Sequence, residues 1–322
     1  MAFKKILVTG GSGFIGSNFV RFVLEKHSDV SVVNLDKLTY CGRKESLADI
    51  EGNGRYSFVH GDIANEKDVE NAMHECDAVV NFAAESHVDN SIKNPFVFAE
   101  TNVRGTMVLL NQARKQGIGR FVQIGTDEVY GSVENGSSSE QDAQKPRNPY
   151  SATKAAADLL ALSYHNTFGL NVSVTRSSNN YGPYQFPEKV IPLFITNILR
   201  GKRVPLYGEG KNVRDWLFVK DNCEAVDIVL RKGVAGEIYN IGSDNNRTNI
   251  ELTRKLLELL GKGDEMIERV QDRPGHDLRY SVSFSKIKNE LGWKPKKPFE
   301  EGLRETVEWY KANEKWWKPL IK

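Results

Sequence analysis

The chain has few cysteines and no surplus of either charge sign. Its 322 residues include three cysteines, Cys41, Cys76 and Cys223, which lie far apart and form no CxxC pair. This spacing argues against a disulfide framework and is typical of reduced thiols in a cytoplasmic protein. The formal net charge is +2, without a basic or acidic block, so we expect neither nucleic acid nor an anionic membrane as a partner.

Long apolar runs and metal-ligand clusters are also missing. No apolar stretch reaches the ~18 residues that a membrane-spanning helix needs. The apolar segment at the N-terminus is interrupted at residues 9–12, TGGS, which does not fit a signal peptide. Because no histidine or acidic cluster has the spacing of metal ligands, we predict no metal site.

What the sequence contains is an alternation of short apolar runs with helical patterns. We predict helices over residues 14–26, about 96–116 and from about Tyr150, and strands over 6–8, 30–35, 56–59, 78–82, 120–124 and 171–175. Such alternation is typical of an α/β fold with a doubly wound, parallel, Rossmann-type sheet.

The pattern changes after residue 177, where segments become shorter and richer in glycine and proline. A helix over 219–230 and a strand over 237–241 are expected to rejoin the sheet. We therefore predict two lobes that share the chain discontinuously. The sheet domain comprises residues 1–177 and about 215–241. The smaller, substrate-binding lobe comprises residues 178–214 and about 242–322.

The first predicted strand ends in TGGSGFIGS, with Gly10, Gly13 and Gly16 in a GxxGxxG pattern. These glycines allow a sharp turn, a close approach of backbone N–H groups to a pyrophosphate, and close packing of helix on sheet. Asp36, about 20 positions beyond Gly16, suits a ribose diol and favours NAD over NADP. In the pair Asp62-Ile63, the carboxylate of Asp62 can reach an adenine amino group. The alternative is that this pair forms a plain turn.

Tyr150 and Lys154 are spaced by four in PYSATKAAADLL, so they share one helix face. An ammonium near a phenol stabilises the phenolate, so the pair could take a proton from a sugar hydroxyl while hydride leaves the same carbon. The pairs Tyr40/Lys44 and Tyr207/Lys211 have the same spacing but lie in glycine-containing loops.

The fifth predicted strand ends in Thr126, Asp127 and Glu128. Ligands bind at the carboxyl ends of strands in such sheets. Two adjacent carboxyl groups beside a Tyr/Lys pair suggest removal of water, which needs one group to take a proton and another to donate one. The alternative is a solvated turn at the end of a strand.

These motifs, together with AAESHVDNSI, TNVRGT, SSNNYGPYQFPEKVIP, VRDWLFVKD and DRPGHDLRY, resemble the extended short-chain dehydrogenase/reductase family over nearly the whole chain. The resemblance implies a lyase that removes water from a nucleotide-linked hexose, with dTDP-glucose as the expected substrate and bound NAD as the cofactor. It implies that Tyr150 takes the proton of the carbon-4 hydroxyl and Thr126 contacts that oxygen. Glu128 would take the carbon-5 proton, and Asp127 would protonate the departing carbon-6 hydroxyl.

The resemblance also implies binding roles. The expected NAD contacts, besides Tyr150 and Lys154, are Gly10, Gly13, Phe14, Ile15, Gly16, Asp36, Lys37, Leu38, Thr39, Tyr40, Asp62, Ile63, Ala83, Ala84, Ser86, Thr101 and Asn180. The expected substrate contacts, besides Thr126, are His87, Asn179, Lys189, Val190, Pro205, Tyr207, Arg214, Asn249, Arg273 and His276. Arg214 and Arg273 suit a diphosphate, and the alternative for Arg214 is a salt bridge to Asp215.

Other functions stay open. A nucleotide-sugar 4-epimerase would keep the glycines and the Tyr/Lys pair but would not need Asp127 and Glu128. A dehydratase of a UDP- or CDP-linked hexose and a non-catalytic NAD-sensing protein are further alternatives. Family members pair the helices around 96–116 and 150–165 in a four-helix dimer contact, so we expect a homodimer, and we expect the product to enter deoxysugar, especially dTDP-rhamnose, biosynthesis.

Overall fold

The computed structural model describes residues 3–272 and 277–321. Within these ranges the strands are β1 (Lys5–Thr9), β2 (Ser31–Asp36), β3 (Tyr56–His60), β4 (Ala78–Asn81), β5 (Arg120–Thr126), β6 (Val172–Ser177), β7 (Asn179–Tyr181), β8 (Val204–Tyr207), β9 (Val213–Phe218), β10 (Ile238–Ile241), β11 (Asn246–Thr248) and β12 (Ile267–Val270). Among the described residues, seven strands form one sheet in the order β10-β6-β5-β4-β1-β2-β3. Every neighbouring pair is parallel, so the predicted doubly wound fold is confirmed.

The α-helices are α1 (Phe14–Lys26), α2 (Glu66–Met73), α3 (Val88–Lys93), α4 (Pro95–Phe98), α5 (Thr106–Lys115), α6 (Pro149–Phe168), α7 (Val190–Leu199), α8 (Val219–Lys232), α9 (Asn249–Leu259), α10 (Ser285–Leu291), α11 (Phe299–Ala312) and α12 (Glu314–Trp317). Short 3-10 segments cover Lys44–Ile50, Asp127–Tyr130, Asp264–Met266 and Lys318–Leu320. Across 3–272 and 277–321, none of the helices has the length and apolar character needed to span a bilayer.

Two smaller sheets lie outside the parallel sheet. One has the order β11-β9-β7, and the other pairs β12 with β8. Between β9 and β11 the chain returns to the large sheet, where β10 pairs in parallel with β6, as the strand predicted over 237–241 required.

The segment predicted as one helix over 96–116 is divided. A π-helix, Ala99–Gly105, lies between α4 and α5. One widened turn hardly changes the apolar spacing, so the sequence could not reveal it. Within this turn the buried Asn102 accepts a hydrogen bond from the Glu85 backbone N–H and donates to the Glu85 carbonyl and to Thr153 on α6.

The core has three main clusters. One face of the parallel sheet is covered by α1 and α8, with Phe19 and Val226 in that cluster. The other face is covered by α2, α5 and α6, with Leu109 at its centre. A third cluster joins α7, α9 and α11 to Trp216 of β9. Because both faces of the sheet are covered, ligands reach it only at the ends of its strands.

Candidate active site

An open cleft of about 320 Å³ lies at the carboxyl ends of the central strands. The order of the sheet reverses between β1 and β4, and such a reversal creates a crevice in α/β sheets. The predicted site residues that line the cleft are Gly10, Gly13, Phe14, Ile15, Gly16, Asp36, Lys37, Thr39, Asp62, Ile63, Ala83, Ala84, Ser86, Thr101, Thr126, Asp127, Glu128, Tyr150, Lys154, Asn179, Asn180 and Lys189.

The turn from β1 into α1 requires glycine at two positions. Gly10 has φ of +68°, and a Cβ there would lie 2.6 Å from the Ala83 nitrogen. A Cβ on Gly16 would lie 2.2 Å from the Gly10 carbonyl oxygen. The first N–H groups of α1 consequently reach the cleft wall, where unpaired helix N–H groups favour an anion such as pyrophosphate.

Asp36 ends β2 with its carboxylate held by backbone. Its oxygens accept hydrogen bonds from the N–H groups of Ser12 at 2.9 Å and Leu38 at 2.8 Å. Burial raises the pKa of Asp36, and these hydrogen bonds oppose the shift. Lys37 forms an ion pair with Asp62 at 2.7 Å. The two acidic groups predicted to contact a dinucleotide therefore border the same part of the cleft.

Several buried acceptor atoms on the cleft wall have no hydrogen-bond partner among the described residues. They are Ser178 Oγ, Asn179 Oδ1, Asn180 Oδ1 and Gln185 Oε1. Buried polar atoms are nearly always hydrogen-bonded in proteins. Their placement fits a ligand with several polar groups, as a dinucleotide or a sugar has.

Helix α6 presents Tyr150 and Lys154 to the cleft. Asn148 and Ser151 form a capping box and Pro149 occupies the first turn, which fixes where the helix begins. Both side chains are at most 9% exposed. By contrast, Tyr40/Lys44 and Tyr207/Lys211 do not share a helix, so Tyr150/Lys154 is the pair with helical geometry, as predicted.

The electrostatics of this pair differ from expectation. Burial raises the pKa of Tyr150 above its ordinary range, the charge of Glu128 adds to the shift, and a hydrogen bond with Thr126 opposes it. Burial lowers the pKa of Lys154 to about 8, opposed by Asp158, and its ammonium donates to the Ile124 carbonyl. Burial therefore outweighs any stabilisation of the phenolate by the groups that the structure describes.

Thr126, Asp127 and Glu128 lie where β5 passes into a 3-10 turn. Thr126 Oγ1 donates to Asp127 Oδ1 and accepts from the Glu128 N–H, both at 3.3 Å. Asp127 is 3% exposed, and its Oδ2 has no partner within the described chain. Burial, the charge of Glu128 and the charge of Asp215 raise the pKa of Asp127 well above its ordinary value. The turn therefore presents a buried carboxyl group whose pKa is shifted towards the protonated form.

Other predicted substrate contacts do not line this cleft. Tyr207 and Pro205 lie on β8, Val190 and Asn249 begin α7 and α9, and His87 precedes α3. Arg214, on β9, donates to the carbonyls of Val213 and Asp277 and lies over the Tyr280 ring at 4.5 Å. Its neighbour Asp215 accepts from Ser243 and Asn245. Arg273 and His276 fall outside the described residues.

Leu38 and Tyr40 are likewise not on the cleft wall. Leu38 has φ of +52° and uses its N–H for Asp36. The Tyr40 hydroxyl donates to Glu188 at 2.9 Å. The imidazole of His87 lies 3.9 Å from the same carboxylate, and Lys189 donates to the Ser86 carbonyl at 3.1 Å.

The cleft also contains residues that sequence reasoning missed. Its wall includes Leu35, Cys41, Gly42, Gly61, Phe82, Glu85, Ile124, Gly125, Ser177, Ser178, Gln185 and Phe186. Ser177 and Ser178 follow directly from the rule that strand ends line the crevice, applied to β6. Gln185 and Phe186 lie in an irregular loop, and no local pattern indicates them.

Known proteins are similar to this chain in both fold and sequence. A dTDP-glucose 4,6-dehydratase of Streptomyces niveus is 52% identical over 320 residues, which cover 98% of this chain and 95% of that protein. The crystal structure of dTDP-glucose 4,6-dehydratase from Streptomyces venezuelae, with NAD bound, has a TM-score of 0.97 and 51% identity and covers 98% of this chain and 100% of that chain.

More distant structures share the fold as well. The UDP-glucose 4-epimerase of Thermotoga maritima has a TM-score of 0.89 and 32% identity, covering 96% of this chain and 99% of that chain. The family model for GDP-mannose 4,6 dehydratase matches residues 7–306. The chain therefore belongs to the GDP-mannose 4,6 dehydratase family, within the extended short-chain dehydrogenase/reductase fold.

Proposed function

We propose that the protein is a dTDP-glucose 4,6-dehydratase, which converts dTDP-glucose to dTDP-4-keto-6-deoxyglucose and water. Relatives with this name are about half identical over nearly the whole chain. The observation that carries the proposal is the turn after β5, where the buried Asp127, whose pKa is raised well above its ordinary value, adjoins Glu128 beside Tyr150 and Lys154. An acid and a base side by side are what elimination of water requires.

NAD is the proposed cofactor, and the cleft fits it. The glycine turn and the start of α1 would hold the pyrophosphate, and Asp36 would accept from a ribose diol. The unpartnered acceptors of Ser178 and Asn180 suit further polar groups of the ligand. The chemistry that bound NAD supplies is reversible acceptance of a hydride, from carbon 4 and back to carbon 6, so it is regenerated in each turnover.

The chain's own residues carry the proton steps. Tyr150 takes the carbon-4 hydroxyl proton while Thr126 hydrogen-bonds that oxygen. The resulting ketone acidifies the carbon-5 hydrogen, which Glu128 removes. Asp127 gives its proton to the carbon-6 hydroxyl, which leaves as water, and Glu128 then returns a proton to carbon 5. Because burial raises the pKa of Asp127 well above its ordinary value, the two adjacent carboxyl groups can have opposite roles.

An epimerase is the second candidate, because the fold of UDP-glucose 4-epimerase matches this chain closely. Epimerisation needs the Tyr/Lys pair but no acid for a departing hydroxyl. The buried Asp127 beside Glu128 therefore favours dehydration.

We propose that Arg214 contacts the substrate diphosphate. Its guanidinium is held by main-chain carbonyls and by the Tyr280 ring, and its charge reaches Asp127. The other residues of the substrate site would be His87, Asn179, Lys189, Val190, Pro205, Tyr207 and Asn249. The sheet domain, residues 1–177 with about 215–241, would hold NAD, and the remainder would hold the sugar nucleotide.

The test is to incubate the purified protein with dTDP-glucose, without added NAD, and to follow mass. Loss of the mass of one water is expected, with UDP-glucose and CDP-glucose in parallel to determine the base preference. Asp127→Asn should abolish the loss, whereas Asp29→Asn, at an exposed aspartate, should not. An unchanged mass with NAD supplied, or an isobaric sugar product, would contradict the proposal.

We also propose a homodimer through the helices around 96–116 and 150–165. Large apolar side chains are exposed there, with Phe96 82%, Met107 41% and Leu159 59% accessible. We infer that these side chains form an apolar interaction surface. Leu159→Glu should yield monomers in sedimentation velocity, whereas Val234→Glu, at a position 55% exposed elsewhere, should leave the dimer intact.

We also propose a cytoplasmic location, which is supported by the free thiols of Cys41, Cys76 and Cys223. We propose that the product enters dTDP-rhamnose biosynthesis.

A further inference from the structure

A buried network of polar side chains lies next to the catalytic residues. Arg176 Nε donates to Asp158 Oδ2 at 2.9 Å, and its Nη1 donates to the Tyr130 hydroxyl at 2.9 Å. The Tyr130 hydroxyl donates in turn to Asn240 Oδ1 at 2.8 Å. Each of these four residues is at most 5% exposed. We call this set the Arg176 network.

A gain in folding stability does not readily explain why such a network is buried here. Removing two charges from water costs about as much as their attraction returns, and apolar replacements are often equally stable. One nitrogen of Arg176, Nη2, has no hydrogen-bond partner among the described residues, nor has Asp158 Oδ1. The network is therefore incompletely satisfied, and it is better explained by what it holds in place.

One arm of the Arg176 network ends at Asp158, close in sequence to Lys154, whose ammonium donates to the Ile124 carbonyl. Asp158 lies one turn after Lys154 on α6, so the two side chains share a helix face. Both are buried, and the charge of Asp158 acts on the Lys154 ammonium. Gly125 of β5 leaves room for the carboxylate, since a Cβ there would lie 3.0 Å from Asp158 Oδ1.

The other arm reaches the acid/base turn. Tyr130 is the last residue of the 3-10 segment that begins at Asp127. Its hydroxyl is fixed between Arg176 on β6 and Asn240 on β10, and its ring lies against the Arg176 guanidinium at 4.9 Å. The turn is thus attached to the sheet at its far end.

We propose that Arg176 is a positioning residue for both halves of the reaction, placing Lys154 through Asp158 and the Asp127–Glu128 turn through Tyr130. The inference rests on the proposed function. It assigns the Asp158 arm to oxidation at carbon 4 and the Tyr130 arm to elimination across carbons 5 and 6. A residue needed only for folding would affect both halves equally.

The test compares Tyr130→Phe with Tyr164→Phe in the full-length protein. Each change removes one tyrosine hydroxyl that donates to an asparagine Oδ1 at 2.8 Å, but Tyr164 contacts Asn111, outside the Arg176 network. Kinetic isotope effects are measured with dTDP-glucose deuterated at carbon 4 or at carbon 5. Tyr130→Phe should lower kcat by about 10- to 100-fold, raise the carbon-5 isotope effect and lower the carbon-4 effect. Tyr164→Phe should leave both effects at the wild-type values.

Asp158→Asn tests the other arm and should give the opposite pattern, with a larger carbon-4 and a smaller carbon-5 isotope effect. Asp158→Glu, which keeps the charge, replaces it if the asparagine variant does not fold. If the variant in either arm has the same isotope effects as wild type, the inference is overturned, whatever the change in kcat. Failure of the proposed function would be visible earlier and separately, as wild-type protein that forms no dehydrated product.

Discussion

The Tyr40 hydroxyl donates to Glu188 Oε1 over 2.9 Å, and the Tyr40 ring meets Phe186 edge-on at 5.6 Å. These contacts join two segments, 37–42 and 185–189, that line the same cleft. We expect a ligand held between them to leave faster when this contact is broken. The contact therefore bears on how long a cofactor stays bound.

Tyr40→Phe is expected to speed the loss of bound NAD. One hydrogen bond contributes about 0.5–1.5 kcal/mol, which corresponds to a roughly 2- to 10-fold faster release. The NAD retained by the purified protein is measured after successive gel filtrations, with Tyr164→Phe as a control. Equal retention in both variants would show that the Tyr40 contact does not hold the cofactor.

Asp127→Asn is expected to stabilise the protein while abolishing dehydration. The pKa of Asp127 is raised in the folded state, so between the ordinary carboxyl pKa and this raised pKa the folded state binds a proton that the unfolded state releases. Stability is therefore lost as pH rises through that window. The variant removes this cost, and its midpoint of thermal unfolding should rise by a few degrees at pH 7.

That gain in Asp127→Asn should shrink as the pH falls towards about 4, where the unfolded carboxyl also binds its proton. Calorimetry at both pH values measures it, with Asp29→Asn as the exposed control. Dehydration should fall by at least about 10²-fold. A variant less stable than wild type at pH 7 would contradict the protonation state assigned to Asp127.

The alkaline side of the pH profile should report Lys154. Burial lowers its pKa to about 8, so the ammonium is present below that pH and is lost above it. Oxidation at carbon 4 needs this charge near Tyr150, and we expect kcat to fall as pH rises through about 8. The profile is measured with substrate deuterated at carbon 4, and a flat response from pH 7 to 10 would be inconsistent with this role.

Gly16→Ala is expected to damage the start of α1. Its Cβ would lie 2.2 Å from the Gly10 carbonyl oxygen, so the turn must shift, at a cost typical of overpacking, about 1–3 kcal/mol. NAD binding should weaken with it. Gly54→Ala is the matched control, because a Cβ there meets nothing within 4 Å. Calorimetry and NAD titration of the two variants test this, and similar results for both would refute it.

The sequence predicts the strands and the glycine turn well, because apolar periodicity and glycine spacing are local properties. Tyr150 and Lys154 were identifiable for the same reason, since a spacing of four places them on one helix face. The raised pKa of Tyr150 was not, because it depends on burial and on Glu128, which only the fold brings close. Glu188 was also missed as a partner of Tyr40, since 148 positions separate them along the chain.

The strand β10 bears on how the chain acquires its fold. It pairs with β6 at the edge of the sheet, but the chain makes it only after β7, β8 and β9, which belong to the two smaller sheets. A fragment ending at 177 would leave β6 with an unpaired edge, and exposed edges of this kind promote aggregation. During synthesis β6 thus stays unpaired at this edge until β10 is made, and we expect expression of the first 177 residues alone to give an assembly-prone fragment.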